Sequence, residues 1–266
     1  MILHDQHIHS SFSNDSNEPL ESYYKIASEK GIDYVITCEH YDPHTVVDST
    51  TWHADYNKLM KLQEEYKLKY PNVKSLLGIE LGYRPEYLEE MIEYISNYQF
   101  DLIQFSLHDD GKVDFFFTPA FEKDPIGMTR YYLTRLYEGM QIFKDYDVLS
   151  HIDFGFKTAR YINKEIRVSM FEDIIKKIFN LIIKEGKAFE VNTKVQEKIN
   201  DDEHIEYLLN LYRSLGGERV TLSSDAHEKE RYMSSFPKYL RIIKKCGFNE
   251  LCYYIKRKEY RYKIWL

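Results

Sequence analysis

Two short clusters of imidazole and carboxylate, placed at opposite ends of a 266-residue chain, most constrain what it can fold into. Asp5-Gln6-His7-Ile8-His9 closes the first strand-like run, and Ser224-Asp225-Ala226-His227 closes the last. Residues i and i+2 of a strand project from one face, so His7 and His9 converge on one point, as do Asp225 and His227. The two pairs meet if the strands close into a barrel, and their meeting point would have the donor set of a metal-dependent hydrolase.

Between these clusters a short strand-like run is repeatedly followed by a longer helix-like one. The expected strands are residues 2–8, 33–38, 74–80, 101–107, 147–151, 188–192 and 219–224, rich in β-branched and aromatic residues. The expected helices are residues 19–30, ended by Gly31, then 55–70, stopped by Pro71, then 85–98, 127–145, 168–185, 203–215 and 234–246. Residues 109–125 lack a period and read as a long loop, a common setting for function. The tail, 251–266, alternates weakly and reads as an edge strand or a cap. Seven such units imply parallel strands with right-handed crossovers. No Gly-rich nucleotide loop follows any strand, and polar residues gather at strand ends. Both features favour an α/β barrel, TIM-barrel-like, over a doubly wound sheet. No linker or repeat divides the chain, so residues 1–266 are expected to form one domain.

Hydrophobic residues make up 43% of the chain, enough for one large core. A net charge of -7 disfavours nonspecific binding to nucleic acid or to an anionic membrane. No apolar run reaches the roughly 18 residues needed to span a bilayer, and the N-terminus shows no basic segment followed by an apolar one. The three cysteines, Cys38, Cys246 and Cys252, are too scattered for a disulfide framework and fit a reducing cytoplasm. The 24 tyrosines read as amphipathic packing at strand ends and on helix faces. The oligomeric state is not fixed by any of these features.

The other strand ends carry ligand-type residues too: His40, Glu80, His108 and His151, with Asp15 in the loop after the first strand. Six of the ten histidines thus fall where a barrel aims them at one mouth, while His4, His44, His53 and His204 lie elsewhere. Singly, each has an ordinary explanation as a capping or ion-paired residue; jointly they point to a shared metal site. Imidazole and carboxylate without a thiolate cluster suit Zn, Mn or Fe. One tetrahedral zinc takes three or four protein ligands, so the nine candidates (His7, His9, Asp15, His40, Glu80, His108, His151, Asp225, His227) suit two or three divalent ions, with Glu80 the natural bridge. Clustered divalent ions lower the pKa of water and offset charge on a substrate oxyanion, which best fits hydrolysis of a phosphate ester. No Ser, Cys or Asp phosphoenzyme motif stands out, so direct attack by water is expected, with Asp225, His227 and Glu80 the candidate catalytic groups. Two other classes stay open: an amidohydrolase-type barrel cleaving a C–N bond, and a non-catalytic barrel that stores or senses metal.

The series Asp5-x-His7-x-His9-Ser10, Ser13-x-Asp15, Glu39-His40, Gly78-x-Glu80, Ser106-x-His108, His151-x-Asp153, Glu190-x-Asn192-Thr193 and Ser224-Asp225-Ala226-His227 resembles the PHP (polymerase and histidinol phosphatase) family, in motif order over about residues 4–230. It is most similar to the histidinol-phosphatase branch. The resemblance implies a distorted (β/α)7 barrel with a trinuclear metal centre, a small phosphorylated substrate and a place in histidine biosynthesis. It implies one ion held by His7, His9, Asp225 and bridging Glu80, a second by Asp15, His40 and His227, and a third by Glu80, His108 and His151. Where that branch has arginines for the substrate phosphate, this chain has Lys157 and Lys194, with Arg160 nearby. Lysine keeps the charge and loses the bidentate fork. Other members of the family act on phosphotyrosine or on nucleic acid, and the acidic balance here disfavours the latter.

Overall fold

The repeating pattern forms one curled, mostly parallel sheet in the computed structural model, which describes residues 4–264. Its parallel strands are β1 (Tyr34–Asp42), β3 (Lys74–Gly82), β4 (Leu102–Ser106), β5 (Val148–Leu149), β6 (Ala188–Asn192) and β7 (Val220–Ser223). A two-residue strand, β2 (Trp52–His53), pairs antiparallel with the end of β1. The sheet order is β2-β1-β3-β4-β5-β6-β7.

The expected first strand is replaced by something looser. Residues 4–9 lie between β7 and β1, touching each through single backbone bonds: His9 N donates to Ala226 O at 2.8 Å and Cys38 N to Ile8 O at 2.9 Å. Side chains take the remaining hydrogen bonds that a ladder would have supplied. Asp5 accepts from the Ser224 backbone at 2.9 Å, Gln104 donates to Gln6 O at 2.8 Å, and Glu39 accepts from the Ser10 backbone. Buried backbone groups must be paired somewhere, and here polar side chains serve. This segment completes a distorted seven-part barrel; Ile2 and Leu3 of the expected strand lie outside the described residues.

The connecting helices are α1 (Leu20–Lys30), α2 (Tyr56–Lys69), α3 (Leu88–Ser96), α4 (Pro125–Ile142), α5 (Phe154–Ile162), α6 (Glu172–Lys184), α7 (Thr193–Ile199), α8 (Asp202–Ser214) and α9 (Phe236–Lys245). Gly31, at φ 67°, ends α1 in the left-handed conformation that glycine adopts without steric cost. α4 starts two residues earlier than its apolar pattern indicates, because Asp124 caps it through Gly127 N and Pro125 occupies its first turn. α6 buries Ile174, Ile175, Ile178, Phe179 and Ile182 along one stripe. Two helices were not expected, α5 and α7. Each is short and follows within a few residues of a strand, so neither leaves a full apolar stripe in the sequence.

The barrel interior changes character with height. Its lower layer is apolar: Ile36, Cys38, Leu76, Leu102, Val148 and Ala188. The tail forms an antiparallel hairpin, β8 (Glu250–Ile255) and β9 (Lys258–Lys263), whose Cys252 and Tyr254 pack against that layer from below. It is therefore a cap across the barrel floor, fastened by Tyr254 N to Gln6 Oε1 at 3.2 Å and by Arg257 N to Asp101 O at 2.9 Å. Trp265 and Leu266 of the expected tail lie outside the described residues. Each large apolar side chain buried this way contributes about 1.5–3 kcal/mol. Two residues further along the same strands the interior becomes polar, beginning with His40 and Glu80, which are paired in register.

Candidate metal centre

β1 and β3 run longer than their apolar cores indicate, so His40 and Glu80 sit inside strands rather than beyond them. Glu80 is flanked at i±2 by Gly78 and Gly82, which leave its side of the barrel open. A Cβ on Gly82 would stand 1.8 Å from Asp42 Oδ1, and one on Gly78 would stand 2.6 Å from Cys38 Sγ. The glycines thus let neighbouring strands bring carboxylate and imidazole groups close together.

All nine sequence-derived ligand candidates converge on this mouth. Glu80 stands at the centre. Its Oε2 lies 3.2 Å from His7 Nε2, 3.3 Å from His9 Nε2 and 3.3 Å from His40 Nδ1. Its Oε1 lies 3.1 Å from His108 Nε2 and 2.7 Å from His151 Nε2. Asp225 Oδ1 is 3.4 Å from His9 Nε2, and Asp15 Oδ2 is 2.8 Å from His227 Nε2 and 3.5 Å from His40 Nε2. Three sets have donor atoms all within 4.8 Å of one another: His7, His9 and Asp225; His9, Asp15, His40 and His227; and His40, Glu80 and His108. His151 reaches the same Glu80 oxygen as His108 and falls outside that last compact set.

Outer groups fix which nitrogen faces inward. His7 Nδ1 donates to Glu190 Oε1 at 2.8 Å, His108 Nδ1 to Asp42 Oδ1 at 2.7 Å, and His9 Nδ1 to Ser13 Oγ at 3.1 Å. Ser13 in turn donates to Glu39. These contacts leave the Nε2 lone pairs of all three rings pointing at one another and at carboxylate oxygens; His7 Nε2 and His9 Nε2 are 3.0 Å apart. Lone pairs packed this closely in a buried place repel unless cations lie between them, and the outer-group pattern is the one that orients metal-binding histidines. The donor set therefore fits divalent ions.

The carboxylates give this buried place a strongly negative field, which cations would balance. Burial alone would lower His7, yet Glu80, Glu190 and Asp225 outweigh it and hold His7 well above the ordinary imidazole range. Burial would raise Glu80, but His7, His108 and His40 hold it well below the ordinary carboxylate range. His9, surrounded by protein and facing His227 and His40, is pushed down to about 4. Asp42, which burial would raise, is held at about 2 by His108 and His40.

Above the cluster lies a cavity of about 660 Å³. Asp15, His40, Glu80, His108, His151, Asp225 and His227 form its base, Lys157, Lys194 and Lys198 one wall, and Val46, Val47, Trp52, Phe116 and Phe117 part of its rim. Lys194 Nζ is 3.1 Å from Asp225 Oδ1 and 3.0 Å from His227 Nδ1. Lys157 is buried, its Nζ 3.3 Å from the Phe154 ring centroid. Burial, with Lys198 and Lys194 nearby, lowers its pKa well below the ordinary range.

Arg160 is not part of this wall. One turn beyond Lys157 on α5, it has rotated away from the mouth and binds Asp201 Oδ2 at 2.9 Å and Ile166 O at 3.2 Å. Residues that sequence reasoning left without a role include Asp42, Glu190 and Lys198. Asp42 follows His40 at i+2 and Lys198 follows Lys194 at i+4, so periodicity carries a signal for both. The unexpected bounds of β1 and α7 hid it. His204, set aside as having no ligand role, is buried beneath the site with its Nε2 2.8 Å from Asp153 Oδ2.

The PHP domain profile matches residues 5–194. The chain belongs to the PHP domain family. Curated PHP relatives cover nearly its full length. A histidinol-phosphatase of Lactococcus lactis subsp. lactis is 28% identical over 93% of this chain and 92% of its own. A probable histidinol-phosphatase of Clostridium acetobutylicum is 27% identical over 97% of this chain and 100% of its own. Among solved structures, histidinol phosphate phosphatase from L. lactis, complexed with zinc, L-histidinol and phosphate, superposes with a TM-score of 0.86 at 25% identity, covering 96% of this chain and 98% of that one. This PHP barrel is thus TIM-barrel-like in fold, and no helix among its described residues is long and apolar enough to cross a membrane.

Proposed function

We propose that this chain is a metal-dependent phosphomonoesterase that hydrolyses L-histidinol phosphate to L-histidinol and phosphate, a step of histidine biosynthesis. The observation that carries the reading is the cavity itself: seven imidazole and carboxylate groups at its base, with His7 and His9 buried behind them, facing a lysine wall, in a chain similar along nearly all its length to histidinol-phosphatases.

His7, His9, Asp225 and Glu80 would hold one divalent ion, Asp15, His40 and His227 a second, and Glu80, His108 and His151 a third. Zinc is the ion in the L. lactis relative, and Mn or Fe would suit the same donors. Such ions supply charge neutralisation at the phosphoryl oxygens and a lowered pKa for water. The protein's own groups do the rest. Lys194 and Lys157 hold the outer phosphate oxygens. Glu80 keeps the centre's imidazoles in register. Water attacks phosphorus and gives a proton to Asp225 or His227, the P–O ester bond breaks, and the same group passes that proton to the leaving alkoxide. Phosphoryl transfer asks mainly for positioning and charge neutralisation, which this arrangement provides without a protein nucleophile. Cys38 lies in the apolar floor and is pushed up by burial, which removes it as a nucleophile.

Residues 1–266 are read as one domain acting on a small substrate in the cytoplasm, not on nucleic acid. The net charge of -7 and the three free, buried cysteines support that reading. The test is phosphate release from L-histidinol phosphate measured beside other phosphate monoesters and cyclic amides. The highest kcat/KM is expected for L-histidinol phosphate. Cleavage of a cyclic amide with no phosphate release would move the chain to the C–N hydrolases.

A further inference from the structure

Lys198 lies one turn after Lys194 on α7, exposed at the mouth of the cavity. Its Nζ stands 5.1 Å from the Phe116 ring centroid, and Lys157 Nζ stands 4.8 Å from the same centroid. One aromatic ring thus stands beside two lysines that form no ion pair with a carboxylate among the described residues. Lys194 differs, because Asp225 already faces it. Two ammonium groups around one ring repel each other, the π system compensates only in part, and an anion between them would complete the match.

Resting on the phosphatase reading, we infer that Lys198 is a specificity-determining residue: with Lys157 it supplies the two uncompensated positive charges that match the dianionic head of a phosphate monoester and discriminate against the monoanion of a diester. Lys194, shared with Asp225 and His227, contributes to either. Two ammonium groups and a dianion balance in charge; a monoanion leaves one of them unmatched in a partly desolvated place. Partial desolvation and the neighbouring Lys194 lower the Lys198 pKa, and a bound dianion would raise it again.

The experiment compares wild type, Lys198→Gln and Lys198→Arg in the metal-loaded enzyme. Competitive inhibition is measured with inorganic phosphate, a dianion at mildly alkaline pH, and with dimethyl phosphate, a monoanion at the same pH. The inference expects Lys198→Gln to weaken inorganic phosphate about tenfold, the scale of one lost charge-assisted contact. Dimethyl phosphate should change little, KM for the monoester should rise more than kcat falls, and Lys198→Arg should restore most of the loss. Unchanged constants for both inhibitors would overturn it by making Lys198 a solvated side chain. Parallel weakening of both, without rescue by arginine, would overturn it by making the role structural. A wild-type enzyme that neither releases phosphate from monoesters nor is inhibited by phosphate would remove the phosphatase reading itself, and the inference with it.

Discussion

The two walls of the cavity are built on opposite plans. On the imidazole wall, most rings are held at a second atom: His7 by Glu190, His9 by Ser13, His108 by Asp42. These side chains come from barrel strands or from the segment beside them, and nearly all are buried. On the lysine wall, the side chains come from two short helices, and only Lys194 meets a carboxylate. Phe116, which faces two of the lysines, is 55% exposed on a loop. The contrast teaches a division of labour. The wall proposed to fix cations is held by outer contacts, whereas the wall proposed to receive an exchangeable anion has few of them and would be free to adapt.

If that division is right, damage to the two walls should differ in kind. The largest effect should come from emptying the rigid wall. Prolonged chelation is expected to abolish phosphate release, and added divalent metal to restore it. Because imidazole and carboxylate bind metal only when deprotonated, chelation should be faster at lower pH. Metal content and activity, followed together in time, check both statements.

Next in size is Glu80→Gln, which removes the negative charge of the one carboxylate facing five imidazoles and turns one of its acceptor oxygens into a donor. A fall in kcat of about a thousandfold is expected, with far-UV circular dichroism unchanged. Loss of fold together with activity would mean that the wall is a structural keystone rather than a metal seat.

Gly82→Ala probes the outer contacts. The added methyl would stand 1.8 Å from Asp42 Oδ1, so Asp42 must release His108 or shift its strand. Metal affinity should drop by about ten- to a hundredfold, read by competition with a chromophoric chelator. On the adaptable wall, Lys157→Gln should raise KM about tenfold and leave metal content untouched. The smallest functional effect should come from Arg160→Ala. It removes the contact with Asp201, which caps α8, and should cost about 1–2 kcal/mol of stability in denaturant unfolding with KM unchanged. A raised KM there would return Arg160 to the substrate wall.

The rigid wall was also the legible one. The order of strands brings His7, His9, Asp225 and His227 to one mouth as expected, although neither pair lies in a regular strand: residues 4–9 are loosely paired, and Asp225, at φ 49°, lies beyond the end of β7. The lysine wall was read less well for a physical reason. α5 and α7 are too short to show an apolar stripe, so the direction in which Lys157 and Arg160 turn is not legible, and the i+4 spacing of Lys194 and Lys198 carries a signal only once a helix is known there. Arg160, three residues after Lys157, rotates off the cavity, and Lys198, four after Lys194, rotates onto it. The first strand was misjudged differently. Its polar side chains take over hydrogen bonds that a ladder would make, a substitution that residue propensities do not report. Capping shifted helix ends by a turn or less, as at Asp124.

The central claim is that cations lie between the nitrogens and oxygens gathered around Glu80. Anomalous X-ray scattering, collected at the absorption edge of the metal that restores activity, tests it most directly. The account predicts two or three peaks, each within coordination distance of His7, His40, Glu80, His151 or Asp225. Crystals of a fully active enzyme with no anomalous peak at that mouth would contradict it.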